Sequence, residues 1–235
     1  MKRRNLVLLS SALLATVFLG FVPPSGDNSI ALAVKVIRDV SRKGEKIDWT
    51  SAKKGDELYS GDQVRTADRS IAIVKFKDGS MLRVRESSEL KLFGKTDNGI
   101  FSKTVNVSKG EFSFDIQKQS GNEKFTFSSP TSVAAIRGTE GTFSSSATGD
   151  QLVVLEGLVN FLNTLSNKDV NVGAGQTAVS NSDGTIYVRQ STPTESSDAQ
   201  SELDAANGTG KAKQLDIEVK DKDGNKKKVR INYHG

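Results

Sequence analysis

The chain contains no cysteine and only one histidine, His234, which is the second-last of its 235 residues. Without cysteine there is no disulfide, no thiolate zinc site and no cysteine nucleophile. A histidine at a chain end lacks the neighbours that orient the ring in a catalytic site, so we interpret His234 as a tail residue. The HExxH, GxSxG, phosphate-binding glycine and calcium-loop motifs are also missing. We therefore expect no catalytic residue, no bound cofactor and no metal site.

Carboxylate-pair chemistry is the one enzymatic option that these absences leave open. Asp115, Glu140 and Glu156 are available for it, and Asp78 lies in an apparent turn. Nothing in the sequence pattern brings the first three together across a cleft. We predict that the protein is not an enzyme.

The body of the chain also lacks an excess of positive charge, although the formal net charge is +5. Lys2, Arg3 and Arg4 stand against Asp27 in residues 1–33, and eight basic side chains stand against four acidic ones in residues 211–235. The body between these ends is close to neutral. Because a nucleic-acid-binding domain normally carries a basic face, we expect no nucleic-acid partner.

The N-terminus has the layout of an export signal. Three basic residues precede an apolar run from Leu6 to Val22, and Ala31-Leu32-Ala33 offers the small-x-small pattern of a signal-peptidase site. We expect residues 1–33 to be a signal peptide and Val34 the mature N-terminus. The alternative is an uncleaved membrane anchor, since 17 apolar residues lie at the short end of what spans a bilayer. Either arrangement places the rest of the chain in the periplasm.

After Val34 the apolar residues alternate with polar ones, which is typical of β-strands. The clearest case is residues 71–85, where Asp78-Gly79 marks the turn of a hairpin whose other face carries Lys75, Lys77, Arg83 and Arg85. That face either binds an anion or is an ordinary solvated sheet face. We predict buried core positions on the apolar faces: Phe76, Leu82, Ile136, Phe143, Val153 and Phe161.

Short strands continue to Val188, and the pattern predicts an all-β fold, a rolled or sandwich-like and mostly antiparallel sheet. Residues 189–213 form either a polar linker or a short helix that starts at Thr192-Pro193 and ends at Gly208. Residues 214–235 form a separate hairpin. Its basic residues Lys226, Lys227, Lys228 and Arg230 either protect an edge strand from aggregation or bind an anionic partner.

Five blocks of the chain, in order, resemble the FecR domain over residues 34–188. They are GDELYSGDQVRTADRSIAIVKFKDGSMLRV, KGEFSFDI, SPTSVAAIRGTEGTFS, VLEGLVNF and VGAGQTAVS. The resemblance implies an extracytoplasmic β domain without catalytic residues. Members of this family relay receptor occupancy to a cytoplasmic sigma factor, but only a few residues of this chain can lie in the cytoplasm. The resemblance therefore implies the domain and not that role.

The third block contains Arg137-Gly138-Thr139, to which we assign a structural role, with ligand binding as the alternative. Gly138 is expected to adopt a positive φ, and Arg137 to contact a neighbouring turn or a carboxylate such as Glu140 or Glu156. For the whole chain we predict a non-catalytic interaction, scaffolding or signalling module of a Gram-negative cell envelope. Its partner would be an envelope protein or polymer. The alternative is a structural subunit of a membrane-associated assembly.

Overall fold

A computed structural model describes residues 29–45, 47–97, 100–119, 121, 123–208, 213–220 and 226–233. Most of the predicted export signal lies outside these residues. Within the part of the chain that the structure describes, no helix is long and apolar enough to cross a membrane.

The described residues form a chain of short strands with one helix near the C-terminus, as the alternation predicted. The strands are β1 (Ala31–Ile37), β2 (Val40–Lys43), β3 (Thr50–Ser51), β4 (Glu57–Leu58), β5 (Gln63–Thr66), β6 (Ile71–Phe76), β7 (Met81–Val84), β8 (Glu89–Asp97), β9 (Ile100–Ile116), β10 (Lys124–Ser128), β11 (Ser132–Ile136), β12 (Thr139–Ser146), β13 (Gly149–Glu156), β14 (Leu158–Asn163), β15 (Asp169–Gly173), β16 (Gln176–Asn181), β17 (Ile186–Gln190), β18 (Lys213–Lys220) and β19 (Lys226–Tyr233), and the helix is α1 (Pro193–Asn207).

Strands β1 to β17 are joined by hydrogen bonds and fold into two layers that share the long strand β9. Sheet A has the order β4-β1-β6-β7-β9-β12-β13-β16-β17. Sheet B has the order β3-β2-β5-β8-β9-β10-β11-β14-β15. The β9–β10 pair is parallel, whereas the other pairs are antiparallel. The prediction of a mostly antiparallel, sandwich-like sheet is confirmed.

Strand β9 passes from sheet B to sheet A at Gly110, which has a φ of 104°. A Cβ atom at this position would lie 2.2 Å from Oγ of Ser88. Both the backbone conformation and the close approach require glycine here. The bend at Gly110 therefore allows one strand to serve both layers.

Aromatic side chains fill the space between the sheets. Ring centroids lie 4.8 Å apart for Phe112 and Phe127, and 5.1 Å apart for Phe76 and Phe125. In both pairs the rings meet edge to face, an arrangement that adds to the free energy of burial. The predicted core residues Phe76, Leu82, Ile136, Phe143 and Phe161 all belong to this core.

Val153 is buried as predicted, but it lies on the wrong face for the core. Its strand neighbours Leu152 and Val154 point between the sheets. Val153 points outward and lines a small cavity together with Ala199 of α1. The helix therefore buries this outward-facing apolar residue. The alternation of residues in β13 alone could not indicate that a helix covers its outer face.

Helix α1 forms where the sequence predicted it. Thr192 is the N-cap and forms a capping box with Glu195, Pro193 follows, and Gly208 caps the C-terminus with a φ of 69°. The helix packs against β7, β9, β12 and β13, on the outer face of sheet A. Only Ala199 and Leu203 of its side chains are buried.

The C-terminal hairpin pairs β18 with β19 in a sheet of its own. The register places Leu215 opposite Ile231 and Ile217 opposite Val229. In the described residues, neither strand pairs with a strand of the sandwich. At the other end, β1 begins at Ala31, three residues before the predicted start of the β domain.

Candidate interaction surfaces

Two of the four basic residues on the outer face of the β6–β7 hairpin are paired with the protein's own acidic residues. The Arg83 guanidinium forms an ion pair with the Glu202 carboxylate of α1, and their side chains are 12% and 19% exposed. Arg85 Nη1 lies 3.1 Å from Glu111 Oε1. Burial and the neighbouring Arg85 cation lower the pKa of Arg83, although arginine remains charged. The anion that the sequence suggested for this face is thus supplied from within the chain.

A second ion pair holds the first turn of α1. Arg189 donates two hydrogen bonds to the Glu195 carboxylate, at 2.7 Å from Nη1 and 2.6 Å from Nη2. Gln151 of β13 donates a third, at 2.8 Å. The Arg189 guanidinium is the main cause that lowers the pKa of Glu195 to about 2. Helix α1 is therefore attached by two charged contacts and by two buried apolar side chains.

Three carboxylates converge at the end of the same face. Glu140 on β12 lies directly opposite Asp115 on β9 and opposite Glu156 on β13. Burial, followed by repulsion from the neighbouring carboxylates, raises the pKa of Asp115 and of Glu140. The three line a cavity of about 420 Å³. The sequence gave no reason to expect this convergence, because it depends on the register of three strands.

The described residues contain no group of three or more His, Asp or Glu side chains arranged to hold a metal ion. Like charges on directly opposite residues of neighbouring strands destabilise a sheet. The carboxylate cluster therefore provides a pH-dependent contribution to stability and does not by itself indicate a site.

The turn residue Asp78 participates in a buried ion pair between the layers. Lys103 Nζ of β9 lies 2.6 Å from Asp78 Oδ2, and the lysine side chain is only 1% exposed. Burial would raise the pKa of Asp78, but hydrogen bonds from Lys103, Gln119 and Ser80 outweigh it and lower that pKa. Gly79 follows with a φ of 90°. The Asp78-Gly79 turn thus connects sheet A to sheet B.

The Arg137-Gly138-Thr139 motif forms the turn between β11 and β12. Gly138 has a φ of 71°, which confirms the expected positive value. Thr139 is buried, with its hydroxyl 3.4 Å from the Leu158 carbonyl oxygen. Arg137 differs from expectation, since its guanidinium donates to the Gly121 carbonyl oxygen at 3.5 Å, and the structure gives it no ion pair with Glu140 or Glu156.

Arg137 lines a groove of about 710 Å³ on sheet B. The groove is open and its walls include Ile100, Lys124 and Ala135. Together with Thr139 and Gly138, the arrangement supports the structural role that we assigned to this motif, and it leaves the Arg137 side chain at the surface.

The outer face of sheet B is uncovered in the described residues. One row of neighbours runs across six strands, each residue opposite the next in register: Phe93, Thr104, Thr126, Ala135, Asn160 and Asn171. The row is uncharged. At one side of the face, the Arg65 guanidinium stacks 4.2 Å from the centre of the Trp49 ring. This cation–π contact explains the partial burial of the single tryptophan.

Two of the four basic residues of the C-terminal hairpin have acidic neighbours in register. Arg230 lies opposite Asp216, and Lys228 lies opposite Glu218. Opposite residues of an antiparallel pair share a face. By register, the other face has Lys213 and Tyr233 at one end, Lys227 opposite Val219, and five apolar residues that we call the apolar stripe: Leu215, Ile217, Val219, Val229 and Ile231.

Comparison with known proteins supports the fold. Residues 62–160 match the family model described as FecR protein, and no curated protein sequence matches the chain. Two solved structures, each of a candidate anti-sigma factor from Parabacteroides distasonis, are similar in fold. One is 13% identical with a TM-score of 0.50, and the match covers 69% of this chain and 70% of that one. The other is 14% identical with a TM-score of 0.49, covering 61% and 62%.

Proposed function

We propose, from the premise that this chain carries a FecR domain, that it is a non-catalytic protein-binding module of the cell envelope. It acts in the periplasm, and its C-terminal hairpin contacts the partner. The family and its structural neighbours point to regulation through protein contacts. The sandwich provides a stable platform, and the hairpin follows it after α1.

The apolar stripe of the hairpin is the observation that carries this proposal. A two-stranded hairpin is marginally stable in water unless its apolar face packs against something. By register, five branched apolar residues share one face of the β18–β19 pair. The hairpin pairs with no strand of the sandwich among the described residues. A protein surface with an apolar patch would cover the stripe and supply the missing stability.

The basic residues Lys226, Lys227, Lys228 and Arg230 have a secondary role in this proposal. Because Lys228 and Arg230 stand opposite acidic residues, part of their charge is neutralised within the hairpin. Lys226 stands opposite Lys220, so the positive charge is concentrated next to the turn. We propose that this end orients the hairpin toward an acidic patch of the partner, a contribution that salt weakens.

Site-specific photo-crosslinking in the envelope tests the proposal. A photoreactive residue in place of Ile217, on the apolar face, is expected to give a discrete adduct with one envelope protein. The matched control replaces Asp216, which lies next to it on the opposite face. Equal adducts from both positions, or none from position 217, would contradict the assignment of the apolar stripe.

Replacement of the four basic residues by glutamine tests the electrostatic part. We expect weaker envelope association at low salt and unchanged association at high salt, because screening already removes the long-range attraction there. If the parent protein and the glutamine variant associate equally at both salt concentrations, the basic residues contribute only to solubility and not to partner binding. Fractionation also tests the alternative of an assembly subunit, which would co-migrate with a large envelope complex.

A further inference from the structure

Two basic side chains stand side by side on the outer face of sheet B. Phe125 of β10 lies opposite Ile136 of β11, and both are buried in the core. Lys124 precedes Phe125 and Arg137 follows Ile136, so these two residues point away from the core and are exposed. Both line the groove of about 710 Å³. Because neighbouring strands lie about 5 Å apart, the two like charges are neighbours in the folded protein.

The described residues provide neither of these cations with an ion pair. Arg137 has only the long hydrogen bond to the Gly121 carbonyl oxygen, and Lys124 has no carboxylate within ion-pair distance. On sheet A, by contrast, Arg83 and Arg189 each contact a glutamate of α1. Like charges side by side on neighbouring strands weaken a sheet. An anion bound between Lys124 and Arg137 would remove that repulsion.

The rest of the groove suits an extended chain. Small side chains line it beside the cations, namely Ser102, Thr126 and Ala135. They leave room for a ligand to lie close to the sheet. Val159 of β14 lies opposite Ile136, so Leu158 lies next to Arg137 at the following position. Leu158 is 58% exposed and offers an apolar contact beside the positive charge.

The charges of the groove favour a carboxylate ligand over a polyanion. Glu123 also lines the groove, which leaves two cations against one carboxylate. The Glu123 carboxylate would repel a phosphate-rich polymer that filled the groove. A single carboxylate placed at Lys124 and Arg137 is matched by the geometry of a guanidinium, which donates two parallel hydrogen bonds to it, and by the point charge of lysine.

We propose that this groove binds an extended segment of a partner protein that carries an acidic and an apolar residue two positions apart. Such residues face the same side of an extended chain and lie about 7 Å from each other. The carboxylate would lie between Lys124 and Arg137, and the apolar side chain would contact Leu158. Gly138 and Thr139 keep their structural roles. The groove is a second recognition surface, separate from the C-terminal hairpin of the proposed function.

Peptide binding to the full-length protein in a neutral detergent tests the proposal. The probe is a fluorescent peptide that repeats Glu-Ser-Leu-Ser, and its control repeats Gln-Ser-Leu-Ser. By fluorescence anisotropy, we expect the glutamate peptide to bind about tenfold more tightly, because charge-assisted hydrogen bonds are stronger than neutral ones. The double substitution Lys124→Gln and Arg137→Gln should remove this preference. Equal binding of both peptides to the parent protein would overturn the proposal.

A matched variant separates the groove from general electrostatic attraction. Lys53→Gln with Lys54→Gln makes the same change in net charge at two exposed lysines away from the groove, and it should leave the preference intact. The same loss in this control variant would assign the binding to net charge. Displacement of the peptide by a lower concentration of inorganic polyphosphate than of unlabelled peptide would assign the groove to a phosphate-rich polymer. Either result would overturn the peptide assignment.

A substitution that fills the groove tests its location without a change in charge. The Ala135 side chain is exposed and lines the groove, so Ala135→Trp should lower the affinity for the glutamate peptide about tenfold or more at an unchanged thermal midpoint. Unchanged affinity would place the peptide elsewhere and would overturn the proposal. Neither measurement depends on a crosslinked adduct of the hairpin, so this proposal and the proposed function can fail separately.

Discussion

The two outer faces of the sandwich are built from the same kind of strand but are used differently. On sheet A, a helix covers the surface, and Arg83, Glu202, Arg189 and Glu195 are paired at its contacts. On sheet B, the described residues leave the surface open, and its central row is uncharged. On sheet A, partly shielded ion pairs thus link the covering helix to the sheet.

The difference teaches how a weakly amphipathic helix is held on a sheet. Helix α1 buries only Ala199 and Leu203, so apolar burial alone provides a few kcal/mol at most. Its remaining attachment comes from ion pairs whose strength depends on partial burial. In the described residues no helix is attached to the open face of sheet B, and substitutions there should have small effects.

The largest expected difference between the two faces is in the unfolding free energy lost when a leucine is replaced by alanine. Leu203→Ala removes one of the two buried side chains of α1 and should lower the free energy of unfolding by about 2–3 kcal/mol. Leu158→Ala, at a side chain that is 58% exposed, should change it by less than about 0.5 kcal/mol. Urea denaturation of both variants measures the difference. Similar losses would mean that α1 is not held by its apolar contact.

The next effect comes from the buried ion pair. Arg83→Met leaves the partly buried Glu202 with only its longer contact to Arg85, whose Nε lies 3.8 Å from Glu202 Oε1. The substitution should cost about 2 kcal/mol, less than the loss of a fully buried partner. The matched variant on sheet B is Lys91→Met. It removes an ammonium group that lies over the Phe93 ring, and it should cost about 0.5 kcal/mol. Replacing Glu202 by leucine in the Arg83→Met background should recover part of the loss. No recovery would show that the two residues act independently.

A smaller effect, visible at acid pH, comes from Glu195. Its pKa is lowered to about 2, so the stability from the Arg189 contact is present above the ordinary glutamate pKa and is lost as the pH falls toward 2. Glu195→Gln should therefore destabilise the protein at pH 7 and matter progressively less below about pH 4. Unfolding free energies over this pH range test it. A loss independent of pH would assign the effect to the capping box.

The smallest expected effect has the opposite sign. The pKa of Asp115 is raised in the folded protein, so the folded state binds the proton more readily, and stability falls as the pH rises past the ordinary aspartate pKa. Asp115→Asn should stabilise the protein at pH 7 and lose this advantage in acid. Denaturation of the variant and the parent at pH 7 and pH 4 measures the change. Destabilisation at pH 7 would mean that the hydrogen bonds of Asp115 outweigh the repulsion.

Much of the fold could be predicted because the signals were local. Alternating residues indicated the strands, Asp78-Gly79 indicated a hairpin turn, and Thr192-Pro193 with Gly208 marked the ends of α1. Each depends on a few neighbouring residues and on backbone preferences that are the same in any fold. The resemblance of the five motif blocks to the FecR domain rests on local signals of the same kind.

The candidate surfaces were harder to predict because they depend on long-range pairing. The outward position of Val153 and its cover by Ala199 could not be read from β13. The basic face of Arg83 and Arg85 looked available until α1 brought Glu202 onto it. The expected contact of Arg137 with a carboxylate is replaced by the Gly121 carbonyl.

The sequence by itself determined the all-β class, the lack of cysteine and histidine chemistry, the helix caps and the alternation of the C-terminal hairpin, because composition and short-range patterns set these. Only the tertiary structure decided that Ala31 and Ala33 belong to the sandwich, that Glu140 lies between Asp115 and Glu156, and that α1 covers one face and not the other. These features follow from the register of strands that are distant in sequence. Register is decided by the packing of the whole core, to which each local pattern contributes only a part.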